Sequence, residues 1–379
     1  MEHLVLKNKH DIRLSRAALE DLYKRRRRLY VSLFFHQEDV SARVVDMSSL
    51  TKVGIVKKVG RKFRANVQVV PLSRKFFCTD FIISKHRMKN GMFVRGRDDV
   101  WGILPYESPY IAKKAIVEKG DLVLDLATGS GIIGIFCADK AQKVYCTDIN
   151  RKALLYAKFN AILNGVEDKM EFRSGDLFKP VKELKFDLII WNGPTLSLPG
   201  HSCKYPIYCF GGADGLLFTK RFIAEAPRYL TRKGKMQWLD PSLGTNKEPK
   251  SLEIIKKAWQ NKPLKVIYEE RIPPDDLFKT IECIDKRLYL EPIYNRPKSP
   301  LWLKPVNKKE DEQWLAYLKK NHFTHIYAGM YKIFPEKKFS VVKTKPKEIL
   351  FKRMNYLPAE WQFLSYQRIL QLLRICEKF

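Results

Sequence analysis

The sequence predicts an α/β fold in which a doubly wound parallel sheet carries the functional site. Strand-like and helix-like segments alternate along residues 121–239, which is the order that βαβ units produce. The segment DLVLDLATGSG, at 121–131, is typical of a buried strand followed by a glycine turn, and a helix is predicted directly after it. Such a turn places unpaired backbone N–H groups and the positive end of a helix dipole beside a ligand. We therefore expect a nucleotide-like cofactor site there.

The glycine turn alone does not identify the cofactor. Gly129, Gly131 and Gly134 have the GxGxxG spacing that dinucleotide sites also use. Asp125 ends the strand four residues before the first of these glycines. Its carboxylate would repel a pyrophosphate but attract an ammonium group. S-Adenosylmethionine carries an amino acid and a sulfonium group and no phosphate, so it is the cofactor that we expect.

Further polar residues follow the next strands of the predicted sheet. Asp148 ends the strand KVYCTD, 23 residues after Asp125, where a carboxylate would bind a ribose diol. Asp176 closes the strand KMEFRSGD, where it could meet the adenine amino group. Parallel strands place their carboxyl ends at one edge of a sheet, so these residues and Asn192, after the fourth strand, should converge. The complete set of expected cofactor contacts is Asp125, Ala127, Thr128, Gly129, Gly131, Asp148, Ile149, Asp176, Leu177 and Asn192.

In their order and spacing, these motifs resemble those of class I S-adenosylmethionine-dependent methyltransferases. The chain is most similar to the small-domain branch, which includes release-factor glutamine N5-methyltransferases and ribosomal RNA guanine N2-methyltransferases. That branch carries NPPY or NPPF after the fourth strand, where this sequence has NGPT, and LNG before the third strand, which residues 163–165 match. The segment FGGADGL, at 210–216, is similar to the one that follows NPPY in the glutamine enzymes. The resemblance covers residues 95–245, and more weakly reaches about 336. It implies a Rossmann-like class I methyltransferase sheet of seven strands.

The resemblance also implies the catalytic residues. In the family, the Asn side chain and the carbonyl of the first Pro accept hydrogen bonds from the target nitrogen, and the aromatic fourth residue stacks on the planar group that bears this nitrogen. Asn192, Gly193 and Pro194 are therefore the predicted catalytic residues, with Asn192 the most important. No acid or base is obligatory, because methyl transfer depends mainly on positioning and desolvation.

The fourth position departs from the family, because Thr195 offers no ring. Three interpretations stay open: the acceptor is not flat, another aromatic residue supplies the ring (Trp191, Tyr205 or Tyr208), or the site no longer methylates. A segment before the first motif folds over the methionine end of the cofactor in the family, although here Trp101 could instead belong to a linker packed on the core. A loop histidine could contact the substrate or be incidental. The predicted substrate contacts are Tyr106, Glu107, Thr195 and His201.

Positive charge is concentrated in the flanks of the chain, whose formal net charge is +30. Lys and Arg outnumber acidic residues by 23 to 10 over residues 1–100, by 20 to 15 over 101–245, and by 28 to 16 over 246–379. This distribution favours basic appendages that contact RNA or a ribosomal particle, although a general lysine bias would look similar. We expect N-methylation of RNA or of a translation-associated protein. The alternatives are a small-metabolite methyltransferase and a non-catalytic cofactor-binding or scaffold protein.

Three units are predicted along the chain. Residues 1–95 would form an accessory domain with a basic helix over 14–30 and several strands. Residues 96–336 would form the methyltransferase domain, which ends in an antiparallel hairpin interrupted by an insertion near 273–320. Residues 337–379 would form a lysine-rich linker and a helix over 359–377.

Cysteine usage and hydropathy indicate the cellular context. The seven cysteines form no CxxC pair, which favours buried free thiols in a reducing compartment. The sequence contains no apolar stretch long enough to span a membrane and no metal-ligand cluster, so we expect a cytoplasmic protein without a metal. The oligomeric state is not predicted.

Overall fold

The computed structural model describes residues 4–6, 8–41, 46–81, 88–89, 92–93, 96–101, 108–202, 205–277, 308–345 and 366–378. The N-terminal region is built from short elements: α1 (Lys9–Arg25), α2 (Arg27–Phe34), β1 (Val40–Ser41), α3 (Ser48–Lys52), β2 (Val56–Val59), β3 (Lys62–Ala65), β4 (Gln68–Leu72), β5 (Lys75–Thr79), β6 (Met88–Lys89) and β7 (Met92–Phe93). Strands β1, β3 and β2 form one antiparallel sheet, while β4 pairs with β5 and β6 with β7. The predicted β-rich N-terminal region is confirmed.

The basic helix predicted over 14–30 is instead two helices. α1 begins at Lys9, where the side chain of Asn8 caps it by accepting a backbone hydrogen bond. The helix ends at Arg25 because the backbone of Arg26 leaves the helical region, with φ −133° and ψ 44°. The run of five cations therefore spans the junction between two helices.

The remainder of the described chain forms the larger α/β part. Its elements are α4 (Ser108–Lys113), β8 (Leu122–Leu126), α5 (Ile132–Cys137), β9 (Lys143–Asp148), α6 (Arg151–Leu163), β10 (Met170–Ser174), β11 (Phe186–Trp191), α7 (Leu217–Glu225), β12 (Leu230–Gly244), α8 (Lys250–Trp259), β13 (Leu264–Asp276), α9 (Lys308–Lys320), β14 (His325–Pro335), β15 (Ser340–Thr344) and α10 (Tyr366–Lys378). One sheet contains eight strands in the order β10-β9-β8-β11-β12-β14-β13-β15. β14 runs antiparallel to β12 and β13, and every other adjacent pair is parallel. The predicted α/β class and the terminal antiparallel pair are confirmed.

The sheet has one strand more than predicted. The segment expected to be a lysine-rich linker contains β15, which pairs in parallel with β13. The lysines of this segment led to the prediction of a linker. Lysine also suits an exposed sheet edge, because it discourages pairing with another chain. The predicted insertion near 273–320 begins within β13 and ends with α9, and residues 278–307 lie outside the described part. The helix predicted over 359–377 corresponds to α10, and residues 359–365 also lie outside the described part of the chain.

The N-terminal region and the large sheet share one apolar core. Buried side chains from α1, α2 and β4, such as Leu22, Phe34 and Val69, belong to the same cluster as Val144 of β9 and Phe159 of α6. The opposite face of the sheet is covered by α7 and α8, which form a second cluster. The domain boundary near residue 95 stays a prediction, and the apolar packing is continuous across it.

Asn160 of α6 and Asn164, which caps the end of this helix, bind the free edge of β5 in the manner of a neighbouring strand. Asn160 accepts a hydrogen bond from the Cys78 amide (2.8 Å) and donates one to the Cys78 carbonyl (2.9 Å). Asn164, one helical turn later, makes the same pair of bonds with Phe76, at 3.0 and 2.8 Å. Asn160 also donates to the carbonyl of Ser130 in the glycine turn, at 2.9 Å. We call Asn160 and Asn164 the asparagine clamp. It satisfies buried backbone groups that no strand pairs.

We predict that Asn160→Ala lowers the free energy of unfolding by about 3 kcal/mol, because backbone groups of Cys78 and Ser130 lose their buried partner. Urea denaturation monitored by circular dichroism measures this change. The matched control is Asn321→Ala, because Asn321 is exposed and donates to the carbonyl of Tyr317. The control should change stability by less than about 0.5 kcal/mol. Equal losses in the two variants would contradict a special role for the clamp.

Candidate active site

A buried carboxylate lies beneath the glycine turn. Asp125 is on β8 and 1% exposed, and its Oδ2 accepts hydrogen bonds from the Thr128 hydroxyl (2.5 Å) and the Gly134 amide (2.9 Å). Among the described residues, its Oδ1 has no hydrogen-bond partner. Burial raises the pKa of Asp125 to about 7, and the nearby Asp148 carboxylate adds to this effect. The carboxylate thus joins the two ends of the turn and keeps one oxygen that a cation could satisfy.

The turn itself has a left-handed backbone at alternate residues. Ala127, Gly129 and Gly131 have φ angles of 56°, 56° and 81°. Ala127 pays an energetic penalty for this conformation, because side chains other than glycine rarely adopt it. Gly131 is required for a second reason, since a Cβ there would lie 2.9 Å from the Cβ of Ala157 in α6. The strain is concentrated at the predicted cofactor-binding turn.

Asp148, at the end of β9, links the turn to the start of α6. Its Oδ2 accepts from the Gly129 amide (2.9 Å) and its Oδ1 from the Asn150 amide (2.8 Å). Burial raises the pKa of this carboxyl group above its usual value. Each oxygen retains a second lone pair, so the carboxylate could still accept two hydroxyl hydrogen bonds. This arrangement fits the predicted contact with a ribose diol.

Apolar side chains flank this carboxylate on the same edge. Ile149, directly after Asp148, is 59% exposed, which is unusual for an isoleucine beside a buried site. Leu177 follows β10, the neighbouring strand, and has a left-handed backbone with φ of 46°. Ile149 and Leu177 follow neighbouring strands of the sheet, and their contacts with an adenine ring stay predictions.

Asp176 binds an arginine that no sequence motif indicated. Both of its oxygens accept hydrogen bonds from the guanidinium of Arg221 in α7, at 3.0 and 2.8 Å. Lys179 lies 3.2 Å from the same carboxylate. The Arg221 hydrogen bonds hold the pKa of Asp176 below its usual value. The predicted bond to an adenine amino group therefore requires a lone pair that Arg221 and Lys179 leave available.

The tetrad of residues 192–195 begins at the tip of β11. The amide nitrogen of Asn192 donates to the hydroxyl of Ser108, the first residue of α4, at 3.1 Å. This bond fixes the side-chain plane and leaves Oδ1 without a donor from the described residues. Asn192 Oδ1 and the backbone carbonyl of Gly193 are thus two neutral oxygen acceptors that belong to adjacent residues. Their predicted catalytic role, and that of Pro194, stays a prediction.

Thr195 is held by the glycine-rich segment after the loop. It is 9% exposed, and a Cβ at Gly211 or Gly215 would lie 2.7 Å or 2.5 Å from its backbone atoms. The neighbouring Leu196 exchanges backbone hydrogen bonds with Cys209 and Gly211. The glycines are needed because the two segments approach so closely, and they fix the end of the tetrad.

Other predicted substrate residues are placed differently. His201 is exposed, and Tyr106 and Glu107 lie outside the described residues. Among the candidate rings, Trp191 is completely buried, while Tyr205 stacks on Phe210 with centroids 5.7 Å apart. Trp191 therefore cannot offer its ring face to a substrate in this conformation.

A short segment before α4 joins the cofactor edge to the tetrad loop. The carbonyl of Asp98 accepts from the Asn150 side chain (2.8 Å), and the carbonyl of Arg97 accepts from the Ile207 amide (2.9 Å). Trp101 lies 4.9 Å from the ring of Tyr208 and also packs against the first core cluster. Trp101 therefore packs on the core and also contacts the tetrad loop through Tyr208. Sequence reasoning identified neither Asn150 nor Arg221, because neither belongs to a motif that was recognised.

Within the described ranges, no group of three or more His, Cys, Asp and Glu side chains could hold a metal ion. None of the described helices is long and apolar enough to cross a bilayer. Four of the seven cysteines (Cys78, Cys137, Cys146 and Cys209) are buried free thiols, which agrees with the prediction for them. Burial raises the pKa of Cys137 and Cys146 well above the usual range.

Comparisons with known proteins agree with the resemblance seen in the motifs. Residues 111–261 match the family described as the methyltransferase small domain. The chain is 40% identical, over 149 residues, to a Methanocaldococcus jannaschii protein provisionally named a protein N5-glutamine methyltransferase; the match covers 38% of this chain and 74% of that protein. It is 36% identical over 121 residues to the ribosomal protein uL3 glutamine methyltransferase of Bradyrhizobium diazoefficiens, covering 30% of this chain and 38% of that protein.

A solved structure, that of the M. jannaschii tRNA m1G37 methyltransferase, is 16% identical and aligns with 73% of this chain and 61% of its own, with a TM-score of 0.37. That TM-score is too low for the likeness to bear on function. The chain spans about two fifths of the length of the ribosomal relative, so activity and substrate do not transfer with the sequence match.

We predict that the free energy of unfolding falls as the pH rises from about 4 to about 7 because of Asp125 and Asp240. The pKa of each is raised by burial from 3.8 to about 7, so the folded state binds the proton more tightly than the unfolded state over this interval. Stability from these protons is complete below the unfolded pKa and is lost as the pH passes through the folded pKa. Urea denaturation of the protein, Asp125→Asn and Asp240→Asn between pH 4 and 8 measures the effect. Each variant should show a smaller fall, and an unchanged pH dependence in Asp125→Asn would contradict the assignment.

Proposed function

Because the chain belongs to the methyltransferase small-domain family, within the class I S-adenosylmethionine-dependent methyltransferases, we propose that it methylates the nitrogen of a planar carboxamide on a translation-associated protein. The observation that carries this proposal is the pair of neutral acceptors at the tip of β11. Asn192 is oriented by Ser108, and the carbonyl of Gly193 follows it directly. A cytoplasmic location is part of the same proposal.

The edge formed by β8 and β9 fits the cofactor of this family, S-adenosylmethionine. Asp125 would receive the ammonium of its amino acid part, since Oδ1 is buried without a partner among the described residues. Asp148 would accept the ribose hydroxyls, and the exposed Ile149 would cover the base. When bound, the cofactor supplies an electrophilic methyl group on a sulfonium.

Asn192 and Gly193 would orient the target nitrogen for attack on this methyl group. A carboxamide nitrogen has two N–H groups, and the Asn192 Oδ1 and the Gly193 carbonyl can each accept one. Both hydrogen bonds strengthen as positive charge develops on the nitrogen, so they stabilise the transition state more than the bound substrate. The transfer would form an N–C bond as the C–S bond of the bound cofactor breaks, and the proton lost from the nitrogen would pass to solvent.

The names of the relatives support a carboxamide target. The M. jannaschii and B. diazoefficiens proteins are both named for methylation of glutamine, whose side chain ends in a carboxamide. In this chain Thr195 replaces the family's aromatic residue, so the planar group would need another ring. Tyr208 and Trp101 are the half-buried rings in contact with each other beside the tetrad loop, and we propose them for this role.

A second candidate target is a base of RNA, which the surface of the N-terminal region favours. The β2–β3 hairpin exposes Lys57, Lys58, Arg61 and Lys62, and none of them has an acidic partner within 4 Å in the described part of the chain. Phe63 on the same hairpin is half-buried, whereas Phe76 and Phe77 are buried in the core and cannot contact RNA. A ribosomal particle would present protein to the site at the tip of β11 and RNA to the β2–β3 hairpin.

The decisive experiment supplies methyl-labelled S-adenosylmethionine to the protein in the presence of total cell lysate. Label in protein, located on glutamine by mass spectrometry, would support the first proposal, and label in RNA the second. Label confined to small molecules would overturn both. Binding of S-adenosylmethionine in calorimetry, without label in any fraction, would indicate a non-catalytic protein.

We predict that Asn192→Ala reduces kcat by about 10²-fold or more, because the target nitrogen loses one of its two acceptors. The Kd for S-adenosylmethionine, measured by calorimetry, should change by less than about twofold if Asn192 acts mainly on the acceptor. Ser108→Ala should lower kcat by a smaller factor, since it frees the Asn192 side chain without deleting it. Full activity in Asn192→Ala would contradict the proposal.

We predict that Lys57→Ala/Lys58→Ala/Arg61→Ala weakens RNA binding and lowers its salt dependence. Each phosphate contact contributes about 0.7 to 0.9 to the slope of log K against log salt, so the slope should fall by about 2. Fluorescence anisotropy with total tRNA, at salt concentrations from about 50 to about 300 mM, measures the slope. The control is Lys119→Ala/Lys140→Ala, whose lysines are exposed and precede β8 and β9, outside the hairpin. Equal slopes in the two variants would show that the hairpin is not the RNA contact.

A further inference from the structure

Gly193 is not required by its own backbone. Its φ angle lies outside the left-handed region that favours glycine, so an ordinary side chain would be compatible with the local conformation. The obstacle is Trp191, two residues earlier on β11. A Cβ at Gly193 would lie 2.0 Å from the indole Nε1, 2.5 Å from Cε2 and 2.8 Å from Cζ2. The nearest of these distances is about 1 Å inside the 3.0 Å limit that real Cβ contacts observe.

The indole cannot easily move away. Trp191 is completely buried and stacks on Phe222 of α7, with ring centroids 4.8 Å apart and an interplanar angle of 19°. The Trp191 Nε1 group is buried and has no hydrogen-bond partner among the described residues. Tight packing, rather than a polar contact, therefore sets the position of the indole.

Trp191 and Gly193 look unrelated in the sequence, but in the structure the Trp191 indole occupies the space that a side chain at position 193 would need. The resembled family has proline where this chain has Gly193, and the ring of a proline would need the space that the Trp191 indole fills. The NGPT tetrad is therefore a repacked version of the family tetrad. Glycine alone would leave the backbone free to adopt many conformations, and the indole restricts that freedom.

We propose that Trp191 is a positioning residue for methyl transfer, which restricts the backbone of Gly193 and so holds its carbonyl next to Asn192. This inference rests on the proposed function. Ser108 fixes the tetrad from the side of α4, while Trp191 fixes it from the side of α7. Because Trp191 is completely buried, it would act through the backbone of the tetrad.

Reciprocal variants test the proposal. Gly193→Ala forces the indole or the loop to shift by about 1 Å, which should lower kcat by up to about 10²-fold. Trp191→Leu removes the indole edge and frees the glycine, so kcat should fall by about tenfold. In Trp191→Leu/Gly193→Ala the space is available, and the added alanine should change kcat by less than about threefold. The Kd for S-adenosylmethionine, from calorimetry, should change by less than about twofold throughout.

Trp238→Leu is the matched control. Trp238 pairs with Trp191 in the register of β11 and β12, is equally buried, and contacts the same Phe222. It should lower Tm comparably but leave kcat within about twofold of the unmodified protein. Two results would overturn the proposal: losses in kcat that multiply independently in the double variant, or an equal loss in Trp238→Leu.

Thermal unfolding separates this proposal from the proposed function. If no methyl transfer is found with any fraction of the lysate, the proposed function fails, and the packing relationship is still decided by Tm. Gly193→Ala should lower Tm in the unmodified protein but not in Trp191→Leu. Equal reductions of Tm in both backgrounds would overturn the inference independently of activity.

Discussion

The glycine turn depends on one buried carboxylate. Asp125 accepts hydrogen bonds from Thr128, at the start of the turn, and from Gly134, in the first turn of α5. A Cβ at Gly134 would lie 2.9 Å from Asp125 Oδ2, so a glycine is needed for the helix to come this close. These contacts offset the strain of Ala127, whose left-handed backbone would otherwise relax. The position of the turn amides, and with it the fit to a cofactor, therefore follows from Asp125.

The N-terminal region is coupled to this turn through the asparagine clamp. Asn160 binds β5 with one set of hydrogen bonds and the carbonyl of Ser130, within the turn, with another. The apolar core is also continuous between the two regions. A region joined by a flexible linker could search for a target independently of the site. Here the basic N-terminal surface is fixed relative to the glycine turn, so a bound macromolecule would meet both in a set orientation.

The sequence was sufficient for features that depend on local patterns. Alternating apolar residues identified β8 to β11, and strand-end residues placed Asp125, Asp148 and Asn192 on one sheet edge. Contacts between distant segments were not predictable. Arg221 binds Asp176 from 45 positions away, and Asn160 binds Cys78 across 82 positions. β15 was missed because the lysines that suit an exposed edge also resemble a linker.

Under the proposed function, the carboxylates of the sheet edge would bind parts of the cofactor whose charge does not change, and the neutral tetrad would contact the target nitrogen. During transfer to this nitrogen the sulfonium loses its positive charge while the nitrogen gains one, so a carboxylate equally close to both would not lower the barrier. In the strand order, β11 adjoins β8, and β9 lies one strand further, about 10 Å from β11. Under the proposed function, Asp148 would bind the ribose and Asp125, on the adjoining β8, would bind the ammonium, and neither of these groups changes its charge in the transfer. Asn192 and Gly193 carry only dipoles, and dipoles that point at the nitrogen act on the charge that appears there. A negatively charged residue at the tip of β11 would also stabilise the sulfonium before reaction, so the proposed transfer favours a neutral tetrad at this position.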